Sequence, residues 1–222
     1  MPKKINPSSL GLVIALGSIW GLSEAGLGMA LRNCASFVSG SIMTGIALFF
    51  ISAVWKRNPQ VLGPVLLVVI ASVFKMFDAF LLSLPIRHGA VANPIFAFLT
   101  EVLAFIIIVS FARENLTQKR GGQALLGALA ALLAVNLFPL VRFITGIPAC
   151  VVPGTSVPLS LYYAPVAVGI SLITVPFGFW VGEKVKALES TGSSIRRLVF
   201  DRWIAPTAVI LSLVLMMAIR LP

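Results

Sequence analysis

The chain has 222 residues, of which 59% are hydrophobic and 11% charged, with a mean hydropathy of +1.03. A soluble domain wets its surface with about 25% charged residues, so a soluble globular fold is excluded and lipid must cover most of the apolar area. The 17 Lys and Arg outnumber the 7 Asp and Glu, but they lie in short loops between apolar runs, which is the pattern of membrane orientation and not of a nucleic-acid partner.

A spanning helix needs roughly 20 mostly apolar residues. Seven segments qualify, at about 10–31, 38–55, 61–84, 92–112, 123–142, 158–182 and 203–220. They predict an all-α, polytopic transmembrane bundle, one integral membrane domain over residues 1–222. The start, Met1–Lys4 before an apolar run, has the outline of a secretory signal with Ser23-Glu24-Ala25 as a small-x-small site. Glu24 beside that site, and the length of the Gly-containing run, fit a first membrane helix better. Gly17, Gly21 and Ala25 recur every four residues, giving this helix a small-residue face that admits close approach of another helix. That partner is either a neighbour in the same chain or a separate membrane subunit.

The second helix ends at Lys56-Arg57-Asn58-Pro59 and the third at Pro85, followed by Arg87-His88-Gly89. Asn93-Pro94 reads as the cap and first turn of the fourth. The fifth carries a second small face at Ala124, Gly127, Ala128, Ala131 and Ala134. Thr145–Pro158, with Gly146, Pro148, Pro153, Gly154 and Pro158, is predicted as a non-helical loop. Glu183–Arg202, the one long polar stretch, reads as a short surface helix with Lys184, Lys186, Arg196 and Arg197 toward lipid headgroups. With the N-terminus cytoplasmic, one side holds Lys3, Lys4, Lys56, Arg57, Arg113, Lys119, Arg120, Lys184, Lys186, Arg196, Arg197 and Arg202. The other holds only Arg32, Arg87, Arg142 and Arg220, twelve against four. The positive-inside rule therefore predicts a multi-pass protein of a prokaryotic inner (cytoplasmic) membrane, N-terminus inside and C-terminus outside.

Four ionisable side chains fall well inside predicted helices: Glu24, Lys75, Asp78 and Glu101. Each costs about 2.5–3.5 kcal/mol near a helix centre on insertion scales and needs a partner or a wet cavity. At about 1.5 Å rise per residue, all four lie between the midplane and the outer headgroups. Lys75 and Asp78, three apart on one helix face, can pair. Three acids facing one lysine exceed what a packing pair needs, and so predict a polar layer open to the outside. His88, the only histidine, sits near the outer rim above them; a lone histidine cannot provide bis-histidine haem ligation. Arg32, Arg87 and Arg220, at helix ends, read as snorkelling to headgroups. Cys34 and Cys150 form no metal or CxxC spacing; both fall near outer helix ends, where the sequence leaves a disulfide open without predicting it. No phosphate loop, HExxH, GxSxG, arginine ladder or TVGYG filter occurs. The sequence thus points to no catalytic residue and no particular cofactor, and leaves a metal open.

The whole-chain layout resembles the substrate-capture (S) components of energy-coupling-factor vitamin transporters. The resemblance is carried by the chain's size, the nearly loop-free bundle, the Gly17, Gly21 and Ala25 face, and the polar cluster toward the outer side. It implies an outward pocket for a vitamin or metal ion, and docking of the small-residue face on a transmembrane coupling subunit served by separate ATPases. Such components have six helices with both ends cytoplasmic, whereas seven are counted here. The expected function is membrane transport of a small polar or cationic solute bound by Glu24, Lys75, Asp78, Glu101 and His88. The competing expectations are a non-catalytic anchor subunit of a redox or assembly complex and, behind it, an intramembrane lipid-modifying enzyme. The expected partners are the lipid bilayer, membrane or cytoplasmic protein subunits and the solute, with no nucleic acid.

Overall fold

The computed structural model describes residues 7–30, 37–112, 114–147, 149–152, 154–191 and 194–220. Of the positions named above, Lys3, Lys4, Arg32, Cys34, Arg113, Pro148 and Pro153 lie outside these residues, as do the side chains of Arg196, Arg197 and Arg202.

The chain order is α1 (Pro7–Ala30), α2 (Phe37–Arg57), α3 (Leu62–Leu81), α4 (Gly89–Phe111), α5 (Glu114–Gln118), α6 (Arg120–Leu137), α7 (Val141–Thr145), α8 (Leu159–Thr191) and α9 (Ser194–Arg220). A 3-10 turn at Phe138–Leu140 joins α6 to α7, so Arg120–Thr145 forms one span. Among the described residues, seven helical segments are long and apolar enough to cross a membrane, including the last, Trp203–Arg220. The protein is therefore an all-helical, multi-pass integral membrane protein.

The faces of α3 show why the bundle needs lipid. Val65, Val69, Val73, Met76 and Phe80 are exposed on one stripe, while Leu67, Ala71, Phe74, Lys75 and Asp78 are buried on the other. The helix is thus apolar outside and polar within, the reverse of a water-soluble helix. Ile210, Leu211, Val214 and Leu215 give α9 a similar outer stripe. The dry centre is aromatic. Trp20 is fully buried, with its ring centroid 4.7 Å from Phe98 and 6.3 Å from Phe50.

Helix approach is set by missing side chains. On α1, a Cβ at Gly17 would meet Ile70 and one at Gly21 would meet Phe74, both on α3. Ala25 is fully buried in a cluster with Phe74 of α3 and Met216 of α9. The small-residue face of α1 is therefore filled within the chain and is not left open for a coupling subunit. The face on α6 is also filled, since Gly127 lies against Ser171 and Val175 of α8. Along the α2–α8 contact the glycines are reciprocal. Gly40 and Gly45 of α2 face Tyr163 and Ile170, and Gly178 and Gly182 of α8 face the backbone of Phe49 and Ala53.

Two expectations change. The fourth helix begins at Gly89, three residues before the expected start at 92, because His88 and not Asn93 serves as its N-cap, with Nδ1 accepting from the Ala90 N–H at 3.2 Å. Pro94 then lies inside the helix, where its missing N–H removes one backbone bond. The polar stretch 183–202 is not a separate surface helix. Val181 to Leu188 is free of Pro and has one Gly, so α8 continues to Thr191, and α9 already begins at Ser194. At 33 residues α8 is about 50 Å long, well beyond the roughly 30 Å of hydrocarbon it must cross. Lys184 folds back over the Trp180 ring, 6.0 Å from its centroid. Thr145–Pro158 is a loop as expected after α7, which ends on Gly146 in the left-handed region (φ 73°), a conformation costly for residues with a Cβ.

Candidate functional site: a polar cavity at the end opposite the basic loops

The end of the bundle that carries the α3–α4 connection and the loop after α7 encloses a cavity of about 810 Å³. Its wall draws on α1, α2, α3, α4, α8 and the last residue of α9. The 3-10 turn adds Phe138, and the loop after α7 adds Ile147 and Cys150. Drug-sized solutes occupy cavities of roughly 300–1,000 Å³, so the space suits a small molecule.

Glu24, Lys75, Asp78 and His88 all stand on this wall. Glu101 does not. It lies behind it, 4% exposed, hydrogen-bonded by the Thr44 side chain and within electrostatic range of Glu24. Glu24 in turn is within electrostatic range of Lys75 and Asp78. The four intramembrane charges thus form one cluster at one depth, which the helix directions implied. His88 is exposed at the mouth, where its imidazole nitrogen is engaged as a helix cap.

The central group is Asp78. Lys75 reaches its Oδ2 at 3.3 Å, the i,i+3 pair expected from the spacing. The sequence reading missed its second partner. Arg220 does not snorkel outward; it turns into the bundle, with its side chain 3% exposed. Its Nε donates to Asp78 Oδ1 at 2.6 Å and its Nη2 to Oδ2 at 3.0 Å, a two-pronged guanidinium–carboxylate pair. The same Nη2 donates to the Ala25 carbonyl at 3.1 Å, tying α9 to α1 as well as α3. Position at a helix end fixes depth but not direction, so only the excess of carboxylates over basic partners hinted at a further base.

With Arg220 counted, three acids face two bases, and the acid excess falls from two to one. The arrangement places two cations and the Glu24 and Asp78 carboxylates together on the cavity wall. Met43, Leu82, Leu159 and Phe138 supply apolar wall around them. Among the described residues, no group of three His, Cys, Asp or Glu side chains lies close enough together to hold a metal ion. Cys150, also on the wall, is disulfide-bonded, and Cys34 lies outside the described residues. Against known proteins, the chain matches no family model, no curated protein and no solved structure.

Proposed function

We propose that this chain is a membrane transport protein that captures a small polar solute in the cavity and faces the outside of a prokaryotic inner membrane. The observation that carries the reading is the coincidence of the two features: the four buried charges and the 810 Å³ space occupy the same end of the bundle. A purely structural ion pair has no use for an adjoining cavity, and a lipid-filled void has no use for Glu24 on its wall.

Orientation rests on the described loop charges. Lys56, Arg57, Lys119, Arg120, Lys184 and Lys186 stand at one end of the helices, and the cavity opens at the other. The disulfide at Cys150 supports the same assignment, because disulfides persist in oxidising compartments. The resemblance to energy-coupling-factor S components makes a substrate-binding subunit of a larger transporter the natural setting. A docking surface for such a partner would have to lie elsewhere than Gly17, Gly21 and Ala25, which α3 and α9 cover. The anchor-subunit reading drew on those same small faces and loses that support.

The test is Glu24→Gln with solute uptake measured in membrane vesicles. The substitution keeps shape and removes charge, so uptake should be lost while expression and thermal melting persist. Uptake at the wild-type rate would remove Glu24 from the site and the cavity reading with it.

A further inference from the structure

We infer that the captured solute carries one positive charge, on an ammonium- or guanidinium-class group seated at the Glu24 carboxylate; this rests on the solute-binding reading given above. Of the charged side chains in the cluster, Glu24 is the one left open to the cavity. Asp78 is 1% exposed and holds both bases, Lys75 and Arg220, on its two oxygens. The remaining Arg220 nitrogen, Nη1, is sealed within the protein. Glu101 lies behind the wall. Glu24 stands on the wall, 6% exposed, with no hydrogen-bond donor and no base at ion-pair distance from its carboxylate among the described residues. Neither of its oxygens is among the sealed, unpartnered atoms, so both keep access to the cavity. A carboxylate inside a membrane requires a partner charge or a wet cavity, and here the only partner left to it is one that enters from the cavity.

The charge count points the same way. Glu24, Asp78 and Glu101 stand together with two bases, Lys75 and Arg220, so the cluster is short of one positive charge. Buried charges are stable only when paired, and a monocation at Glu24 supplies the missing partner where access already exists. It also offsets the repulsion between Glu24 and Glu101, which lie within electrostatic range of each other. A divalent metal ion fits less well, because it takes about six or more oxygen ligands. Among the described residues no group of three metal-ligating side chains is present. An organic cation needs the one carboxylate and an apolar surface, and Met43, Leu159 and Phe138 on the same wall would receive its carbon body.

The experiment compares benzylamine (cationic at neutral pH), benzyl alcohol and benzoate, which share a ring and differ in charge, by equilibrium binding to the whole chain in neutral detergent. Benzylamine should bind at least about tenfold tighter than benzyl alcohol, a difference of roughly 1.4 kcal/mol, and benzoate should bind weakest. Glu24→Gln should abolish that preference with unchanged melting, because it breaks no hydrogen bond or ion pair among the described residues. Glu24→Asp, which keeps the charge, should retain a preference for the cation. Lys75→Gln leaves the Arg220–Asp78 pair intact and removes a competing base, so it should tighten benzylamine several-fold. Equal binding of the amine and the alcohol, a benzoate preference, or a cation preference that survives Glu24→Gln overturns the positive charge but leaves a solute cavity. Binding of none of the three, with saturation by phosphatidylglycerol instead, overturns both readings by making the occupant a lipid.

Discussion

Asp78 should be the most costly residue to remove from this bundle, and its partners should follow in a defined order. Arg220 makes three hydrogen bonds, two to Asp78 and one to the Ala25 carbonyl. Side-chain hydrogen bonds inside membranes measure about 0.6 kcal/mol on average and up to about 1.7, so Arg220→Ala should cost about 2–5 kcal/mol. The variant leaves Asp78 paired with Lys75, so no lone charge remains. Asp78→Ala leaves both Lys75 and Arg220 buried without a carboxylate, and breaking a buried pair from one side costs about 3–5 kcal/mol for a single stranded charge. It should therefore be worse than Arg220→Ala. Lys75→Ala removes one bond of 3.3 Å and leaves the two-pronged pair intact, for about 1 kcal/mol. In thermal melting of the purified protein, Arg220→Ala should lower Tm by roughly 10 °C, Asp78→Ala by more and Lys75→Ala by only a few degrees. The Asp78/Arg220 double variant should be less damaging than the sum, with a coupling above about 1 kcal/mol. Additive effects, or a Lys75 cost equal to that of Asp78, would refute the geometry of this triad.

Gly21→Leu should destabilise the chain by about 1–3 kcal/mol, because its side chain would enter Phe74, whereas Gly26→Leu should be tolerated since its Cβ meets nothing within 4 Å; melting of the isolated chain separates this from a partner-docking role, under which both would be harmless. Gly178→Ala should split α2 from α8 by pressing on the Phe49 carbonyl and the Ser52 hydroxyl, while Gly169→Ala, in open space, should be neutral or slightly stabilising, as read from expression and Tm. Cys150 should react with a membrane-impermeant maleimide added to intact cells only after reduction; labelling without reductant, or labelling confined to inverted vesicles, would count against the disulfide or the orientation respectively.

Most of the fold was legible because a spanning helix announces itself by length and composition together. Six of the seven expected segments end within a few residues of the observed helices, and the Gly/Pro-rich loop after Thr145 is where the breakers placed it. The failures have local causes. A proline normally opens a helix, but His88 satisfied the first free N–H of α4 before Pro94 was reached. Polar composition near residue 183 reads as a separate surface helix, yet nothing in Val181–Leu188 halts a helix already formed. The 33 residues of α8 cross the bilayer and continue beyond it.

The site was legible in part, and the missing part alters its chemistry. Helix direction and residue depth were enough to bring Glu24, Lys75, Asp78 and Glu101 to one layer, because depth follows from counting along a rod of fixed rise. Rotation about each rod does not follow from counting. Glu101 therefore lies behind the wall it was expected to line, and Arg220 faces inward where lipid was expected. Three acids against one lysine exceeded what a packing pair needs, and Arg220 reduces that imbalance without removing it. Its inward turn also accounts for the seventh helix. Between Trp203 and Arg220 only 17% of α9 is buried, so its packing holds it loosely. A bidentate pair at its last described residue fixes its C-terminal end to α3, and the bond to the Ala25 carbonyl fixes it to α1.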